Sequence, residues 1–376
     1  MRMNHSRAAL GAAALVLVGT LAACSDAPTE SAPMVPEATL EQQVAAMGFR
    51  TDNIRDMGAY VVVEGDIRLS KQQLRLAQPV TSNDPRRPSF QYRTTELVGS
   101  TKVYNIVVDL SSLDSDPGWQ TAAREALTHW NGINNSYVRL VEGGPADITV
   151  EDLCFDDRYA ADASWPSNGN PGPTIEVNSC FRHYTSHAQK VHNMVHEFGH
   201  TLGLRHSNYV QLNESSGPEG AVHVPSTPTS GNDPGSVMNG GTPLNNWAGF
   251  SAADLTAART LYPLPKASPS VVNWGGYPLI SWGALQGASN YSLVYLVTWK
   301  YSNKGTGESF TTTDEYPLGS TSGTSWHDTT RPYTGASLCD WSYGFETSRE
   351  TYHYSVTATF TKGSSTAFVN APTGQC

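Results

Sequence analysis

The stretch VHEFGHTLGLRH, at residues 195–206, contains the residue spacing that decides the fold and points to the chemistry. His196 and His200 are four positions apart, so on a helix they differ by about 40° around the axis and by about one turn of rise. Both imidazole rings can therefore bind one metal ion. Glu197 follows the first histidine and can reach a water molecule held by that ion, which makes this residue the candidate general base.

A glycine and a third histidine extend the motif. Gly203 is suited to end the helix because glycine enters the left-handed conformation without a side-chain clash. The chain can then return and bring His206 to the same ion. Three protein ligands leave a fourth position open for water, which is the arrangement of catalytic rather than structural zinc sites. The alternative, a helix that carries solvated surface histidines, requires neither the glycine nor the third histidine.

This pattern resembles the long zinc consensus of the metzincins, H-E-x-x-H-x-x-G-x-x-H, which a turn containing Met follows. Residues 235–240, GSVMNG, supply such a turn, and the resemblance places Met238 beneath the zinc histidines. Considered without the zinc motif, Met238 is better explained as an ordinary core residue. The resemblance implies hydrolysis of protein or peptide bonds by a zinc-activated water, with Glu197 as the general base.

A second pattern narrows the resemblance. The sequence VEGDI at residues 63–67, followed much later by HEFGH at 196–200, is similar to secreted bacterial peptidases of the HEIGH metallopeptidase family. Phe198 replaces the Ile of that name, at a position that binds no metal. Gly240 stands where some metzincins have a Tyr that stabilises the oxyanion. The oxyanion is therefore expected to depend on zinc and on backbone donors that the sequence does not identify.

The fold class implied is α+β, with a metzincin-like catalytic domain at residues 101–264 that contains a twisted mixed sheet, a zinc helix and a C-terminal helix. Alternating and helical periodicities predict the same order of elements. The predicted strands are 104–110, 137–141, 146–150 and 174–178, and the predicted helices begin at Asp116-Pro117, at Thr185 or Ser186, and at Ser251. The resemblance implies that strand 174–178 is the edge that lines the cleft and pairs with extended peptides. An interior strand is the alternative.

Residues 1–24 are interpreted as a targeting signal rather than as structure. A short basic region precedes an apolar run, residues 8–18, that is too short to be a comfortable transmembrane helix. The run ends in LAAC, which resembles a bacterial lipobox and implies lipidation of Cys24; cleavage with an unmodified Cys24 is the alternative. Residues 25–38 then form a tether. The expected product is an exported outer-membrane lipoprotein, anchored by lipid to a membrane, in the periplasm or on the cell surface.

Residues 39–100 are interpreted as an N-terminal or pro-region, either removable or integral to the enzyme domain. Matrixin-type zymogens hold a Cys against the zinc, but residues 25–100 contain no Cys. A cysteine switch is therefore excluded. An Asp or a simple steric plug stays open as the means of blocking the site.

The composition argues against nucleic-acid binding. The 376 residues include 24 Lys and Arg against 34 Asp and Glu, for a net charge of −10, and an acidic chain repels the phosphate backbone. The 15% of charged residues and the many Gly are typical of an extracytoplasmic, β-rich protein. Asp152, Asp156 and Asp157 are candidate calcium ligands in a loop, with a solvated acidic turn as the alternative.

Cysteine usage agrees with export. With Cys24 set aside, four cysteines remain, an even number suited to an oxidising compartment. Disulfides Cys154–Cys180 and Cys339–Cys376 are favoured among the three pairings because each pair falls within one proposed domain. Free buried cysteines are the alternative.

Residues 265–376 show strand alternation without helical periodicity. Three strands, at 279–282, 291–297 and 352–358, resemble those of a fibronectin type III sandwich. In that arrangement Trp282 fills the core and one of the late tyrosines braces a corner. This domain is expected to act as a spacer, a substrate-binding arm or a partner-docking module.

Two classes of function follow from these patterns. The preferred one is an exported zinc endopeptidase that acts on proteins or peptides. The alternative is a surface lipoprotein that binds a polymer or a partner through its C-terminal sandwich. The intact Glu197 favours the enzyme, because ligands alone would suffice for a structural metal. Neither cleavage specificity nor oligomeric state follows from the sequence.

Overall fold

The computed structural model describes residues 38–47, 49–76, 91–154, 160–181, 186–212, 214, 220–333, 338–343 and 346–372. The predicted leader, Cys24 and nearly all of the tether lie outside the described residues. From Thr39 onwards the chain forms one compact unit. In the ranges just given, no helix combines the length and the apolar character needed to cross a membrane.

Five α-helices and eighteen strands are found in the described part of the chain. The helices are α1 (Leu40–Ala46), α2 (Lys71–Leu76), α3 (Pro117–Asn131), α4 (His187–Thr201) and α5 (Ala252–Leu261), with a 3-10 helix at Ser111–Ser115. The strands before α5 are β1 (Arg55–Asp56), β2 (Tyr60–Val63), β3 (Ile67–Ser70), β4 (Tyr92–Arg93), β5 (Ile106–Asp109), β6 (Leu140–Glu142), β7 (Ile148–Leu153), β8 (Ala161–Ala163), β9 (Thr174–Asn178) and β10 (Val222–His223). The strands after α5 are β11 (Ser270–Trp274), β12 (Tyr277–Ser281), β13 (Ala288–Asn303), β14 (Ser309–Thr321), β15 (Ser325–His327), β16 (Leu338–Tyr343), β17 (Glu346–Phe360) and β18 (Gly363–Asn370).

The main sheet is mixed, as predicted. Its eight strands lie in the order β1-β2-β3-β8-β9-β7-β5-β6. The pairs β5 with β6, β5 with β7, β7 with β9 and β3 with β8 are parallel, whereas β8 with β9 and the β1-β2-β3 pairs are antiparallel. Helix α4 packs on β8 and β9, so the helix with the histidines lies next to the middle of this sheet.

Local sequence explains the two long helices. The Asp116 carboxylate caps α3 by accepting hydrogen bonds from the next backbone N–H groups, and Pro117 occupies the first turn. Ser186 and Gln189 form a capping box at the start of α4. The buried face of α3 packs against α4, and the Trp130 indole donates a 3.0 Å hydrogen bond to the Val195 carbonyl. This contact sets the position of α4 just where the histidine motif begins.

The expectation that strand 174–178 is the cleft edge is wrong. Strand β9 has these bounds but lies between β7 and β8. Residues 161–163 form the short strand β8 antiparallel to β9, and β8 in turn pairs with β3 from the N-terminal segment. The sequence does not reveal β8 because three residues are too few to show alternation. The alternative, an interior strand, is the one the structure has.

The N-terminal segment joins the main sheet through its strands but packs around a cluster of its own. Strands β2 and β3 form a hairpin whose turn contains Glu64, Gly65 and Asp66. In the described residues, the only member of this cluster from beyond residue 76 is Trp165. The buried members are Val44, Met47, Phe49, Val61, Val63, Ile67, Leu69, Leu74 and Trp165.

Two antiparallel sheets follow α5, one of three strands and one of five. Trp282 is buried in the core, as predicted. Tyr354 is fully buried, and its hydroxyl donates a 2.8 Å hydrogen bond to Asp328 Oδ2. The fibronectin type III assignment of these sheets stays a prediction.

A disulfide joins Cys154 to Cys180 and links the end of β7 to the chain after β9. Of the other predicted pair, Cys376 and the side chain of Cys339 lie outside the described residues. Asp156 and Asp157 lie outside them as well, so the calcium loop stays a prediction.

Candidate metal centre

Helix α4 and the turn after it bring three histidines together. His196 and His200 lie on one face of α4, one turn apart, with ring centroids 4.6 Å from each other. Gly203 has φ +89°, and a Cβ at this position would lie 2.9 Å from side-chain atoms of Leu97 and Thr94. The chain therefore turns sharply, and the His206 ring lies 5.2 Å from that of His196 and 4.9 Å from that of His200.

Each of the three rings is oriented through its Nδ1 atom. His196 Nδ1 donates to the Val237 carbonyl at 2.7 Å, and His200 Nδ1 donates to the Leu204 carbonyl at 2.8 Å. His206 Nδ1 donates to a Glu214 carboxylate oxygen at 2.5 Å. These bonds leave the three Nε2 atoms facing one another, and they fix the orientation of each ring as the partners of metal-binding histidines do.

Unpaired buried atoms show that a metal fits this site. His196 Nε2 and His200 Nε2 are buried without a hydrogen-bond partner. An unpaired buried polar atom costs free energy, so two such atoms that converge call for a ligand. Imidazole nitrogens freed at Nε2 are the donors that zinc prefers.

Asp66 is the fourth member of the cluster. Its Oδ2 atom lies 3.1 Å from His206 Nε2 and 3.7 Å from His196 Nε2. One ligand atom from each of Asp66, His196, His200 and His206 lies within 4.8 Å of the others. Across the described ranges, no other group of three or more His, Cys, Asp or Glu side chains approaches as closely, and Asp152 belongs to none.

Charges at the cluster reinforce one another. Burial works against the charged form of Asp66, but the neighbouring His206, which is hydrogen-bonded to it, and the nearby His196 hold the pKa of its carboxyl well below the usual range. Burial likewise opposes the charged form of His206, but the carboxylates of Asp66 and Glu214 raise its pKa well above the usual value. Burial and the two other histidines lower the pKa of His200. A carboxyl group placed among three imidazoles is a set of side chains that can hold a cation.

Glu197 lies beside the cluster but is not one of its four members. Its side chain is 2% exposed, and its Oε2 atom has no hydrogen-bond partner. Burial, together with the carboxylates of Asp66 and Asp162, raises the pKa of Glu197 well above the usual value. A cavity of about 260 Å³, lined among others by Asp66, His196 and Glu197, reaches these side chains.

The predicted Met-turn lies under the histidines. Met238 is fully buried, and a Cβ at Gly199 would lie 2.3 Å from the Met238 sulfur, so the thioether contacts α4 between His196 and His200. Gly240 also has a steric reason, since a Cβ there would lie 2.6 Å from His206 Nδ1. A side chain at residue 240 therefore does not fit against the His206 ring in this conformation.

Helix α5 holds the Met-turn through Asp254. One carboxylate oxygen accepts hydrogen bonds from Ser236 Oγ at 2.6 Å and from Gln91 Nε2 at 2.7 Å. The other accepts from the backbone N–H of Val237 at 3.0 Å and of Ser251 at 2.9 Å. Since the Val237 carbonyl orients His196, Asp254 connects the capping box of α5 to a histidine of the cluster.

The sequence identified most of this site but missed three roles. The sequence motifs predicted the three histidines, Glu197 and Met238, and these five residues lie together in the structure. The sequence did not place Asp66 among the histidines, although VEGDI contains the turn sequence Glu-Gly-Asp that forms the hairpin. It gave no signal for Glu214, and for Asp254 it indicated only a helix that begins nearby, at Ser251.

Comparisons with known proteins find partial matches to this chain. A relative among characterised proteins is macrophage metalloelastase from Rattus norvegicus, which is 26% identical over 193 residues, or 47% of this chain. The match covers 35% of the length of that relative. A structure of myroilysin is 16% identical, with a TM-score of 0.30 over 44% of this chain and 84% of myroilysin, and a myroilysin crystal structure is 17% identical, with a TM-score of 0.28 over 44% and 89%.

A family match identifies the chain more directly. The sequence model of the dual-action HEIGH metallo-peptidases matches residues 61–262, more than half of the chain. The matched residues begin at β2, so they include Asp66 as well as the histidines and the Met-turn. The family expected from VEGDI and HEFGH is thereby confirmed, and this chain belongs to the dual-action HEIGH metallo-peptidase family.

Proposed function

We propose that this protein is an exported zinc endopeptidase in which His196, His200 and His206 bind the catalytic ion. The observation that carries the proposal is the convergence of three Nε2 atoms, each on a ring whose Nδ1 is already engaged. Membership of a metallo-peptidase family supports a protein or peptide substrate. The leader ending in LAAC supports export.

The donor set favours zinc over calcium. Three imidazole nitrogens with one oxygen ligand form the four-coordinate N/O environment typical of zinc. Calcium instead takes six to eight oxygen ligands, and the cluster supplies a single carboxylate. Zinc in this site would supply a Lewis acid that lowers the pKa of a bound water from 15.7 to about 7.

Glu197 is the group that moves the proton. Its unpartnered Oε2 accepts a proton from the attacking water and then delivers it to the leaving amine nitrogen. Burial raises the pKa of Glu197, and a raised pKa favours a carboxyl group that can both accept and release a proton. The Val237 carbonyl and Glu214 keep the rings of His196 and His206 in place during the reaction.

Substitution of Glu197 tests the assignment. Glu197→Ala should keep its metal and lose about 10²–10⁴-fold in rate, because general acid–base catalysis contributes that much. The measurements are cleavage of labelled casein, with chelator and with zinc restored, and metal content by mass spectrometry. The exposed Glu308 supplies the control Glu308→Ala.

Two results would contradict the proposal. One is a Glu197→Ala enzyme that cleaves casein at the wild-type rate while the control does the same. The other is a chain that retains its zinc after His196, His200 and His206 are each replaced by Ala, since these residues are proposed to hold the ion.

A further inference from the structure

We propose that the hairpin of β2 and β3 is an internal inhibitor: its turn occupies the cleft, and Asp66 takes the coordination position that the attacking water needs. This inference rests on the proposed function and adds a means of control to it. The protein would then be latent until the hairpin leaves.

The turn of the hairpin is built to reach the histidines. Val63 pairs with Ile67, so Glu64, Gly65 and Asp66 form the connection between the strands. Glu64 has φ +54° and Gly65 has φ +109°, both in the left-handed region that glycine adopts freely and glutamate avoids. A strained residue persists only where its surroundings hold it. Here Arg205 Nη2 lies 4.0 Å from the Glu64 carboxylate.

The backbone of the hairpin also covers the edge of the sheet beside the metal centre. The Ala163 N–H donates a 3.1 Å hydrogen bond to the Asp66 carbonyl, and Ile67 is in parallel register with Ala163. Without β3, strand β8 would be the edge of the sheet at this point, next to α4. An exposed edge is where an extended peptide pairs by main-chain hydrogen bonds. The hairpin therefore covers both the metal and the edge that a substrate would use.

The hairpin is held in place by polar contacts with β9. The Tyr60 hydroxyl donates to the Glu176 carboxylate, and Arg68 forms an ion pair with the same carboxylate. Glu176 lies on β9 and its side chain is 1% exposed. These contacts can be exchanged for water when the hairpin leaves.

The apolar packing allows such a departure. Within the described residues, most buried apolar side chains of residues 39–76 form a cluster in which Trp165 is the one buried member from the rest of the chain, while Tyr60 and Val62 are buried outside it. The buried apolar side chains of α4 belong to a second cluster. The hairpin can therefore separate without opening the core that positions α4.

The competing interpretation is that Asp66 is a permanent ligand which the enzyme needs for metal retention. Asp66→Ala distinguishes the two in the full-length chain. If Asp66 blocks the site, casein hydrolysis should rise at least tenfold and zinc should be retained. The exposed Asp56 of the same segment, paired with Lys71, gives the matched control Asp56→Ala, which should behave as wild type.

Two readouts do not depend on hydrolysis. The Co²⁺-substituted full-length chain should change its visible absorption spectrum on Asp66→Ala, because one ligand is exchanged, and should not change on Asp56→Ala. Acetohydroxamate, a small metal-binding probe, should bind the Asp66→Ala protein at least tenfold more tightly than the wild type. Tyr60→Phe keeps Asp66 but removes one anchor of the hairpin, and it should raise hydrolysis by a smaller factor.

The outcomes separate this inference from the proposed function. Loss of zinc from Asp66→Ala, with a wild-type thermal transition, would make Asp66 a permanent ligand and overturn the inhibitor. Equal hydrolysis, spectra and hydroxamate affinity in wild type and Asp66→Ala would also overturn it. If no variant cleaves casein, the endopeptidase assignment fails, while the cobalt spectrum and hydroxamate binding still decide whether Asp66 blocks the metal. Should Asp66→Ala not fold, Asp66→Asn and Tyr60→Phe carry the same comparison.

Discussion

The segments on either side of the metal centre are attached to it in opposite ways. Residues 39–76 form their own apolar cluster and meet the rest of the chain through a sheet edge, Trp165 and polar contacts such as Arg68 with Glu176. The C-terminal sheets instead share one continuous core with the main sheet and helices.

The junction with the C-terminal sheets shows how thoroughly the two parts are joined. The rings of Tyr104 and Tyr137 stack at 4.6 Å, and Phe360 meets Tyr137 edge-on. The Tyr137 hydroxyl donates to the Gln286 carbonyl at 2.8 Å, and the Asn135 N–H donates to the Lys362 carbonyl at 2.7 Å. Apolar and backbone contacts thus cross the junction together.

This difference in attachment determines which of the two segments can separate from the metal centre. A polar contact is exchanged for contacts with water at a net cost of about 0.5–1.5 kcal/mol for a neutral hydrogen bond and about 1.5–3 kcal/mol for one to a charged group. A buried aromatic side chain removes enough apolar surface from water to stabilise the fold by about 1.5–3 kcal/mol. The C-terminal sheets should therefore unfold together with the metal centre, and the N-terminal segment should be able to separate from it.

The largest effect is expected from Phe360→Ala at the C-terminal junction. Removing this ring, 6% exposed, should lower the free energy of unfolding by about 3–5 kcal/mol because it leaves a cavity in the shared core. Urea unfolding followed by fluorescence and by zinc release should give one coincident transition. Phe368, 62% exposed, supplies the control Phe368→Ala, with a change within about 0.5 kcal/mol. Zinc that stays bound after the C-terminal sheets unfold would show that the sheets and the metal centre do not unfold as one unit.

A smaller and more local effect is expected from Leu69→Ala in the N-terminal cluster. Leu69 is fully buried, so about 2–5 kcal/mol should be lost from the opening of this segment alone. Hydrogen exchange should quicken for the amides of residues 60–70, while the urea transition of the main core stays where it was.

Leu244→Ala is the matched control, because Leu244 is 48% exposed. If Leu69→Ala lowers the main transition as much as it loosens the hairpin, the two clusters are energetically one, and the contrast between the two segments fails.

The smallest effect concerns the pH dependence of the C-terminal junction. Burial lowers the pKa of Lys362, whose Nζ donates to the Val138 carbonyl at 2.5 Å, to about 8. The ordinary pKa of Lys is about 10.4, so between about pH 8 and 10.4 the unfolded chain binds more protons at this residue than the folded chain. The free energy of unfolding contributed by Lys362 must therefore rise with pH across that window.

Lys362→Met removes this contribution and therefore tests whether the Lys362 ammonium group is desolvated at the junction. The melting temperature of the wild type minus that of Lys362→Met should increase between pH 8 and pH 10. The same difference for Lys304→Met, at an exposed lysine, should stay constant over that range. A Lys362 difference that is flat with pH would show that the ammonium group is not desolvated at the junction.

Local patterns were sufficient for the histidine helix and its surroundings. The i, i+4 spacing of His196 and His200, the capping signals of α4 and α5 and the glycine before His206 act over a few residues, where helix geometry dictates the neighbours. The family, the mixed sheet and the position of Met238 followed from the same stretch and from its resemblance to known motifs. Strand 174–178 had the right bounds and the wrong neighbours, because pairing partners are not set locally.

The residues that reach the metal centre from distant parts of the sequence could be identified only in the tertiary structure. Asp66 lies 140 residues before His206 in the chain, and the hairpin that brings it there depends on the register of β3 with β8. The hydrogen bond of Glu214 with His206 and that of Asp254 with the Met-turn likewise depend on the paths of the loops. A side chain's identity and spacing determine what chemistry it can do, but which other side chains it meets depends on the path of the whole chain.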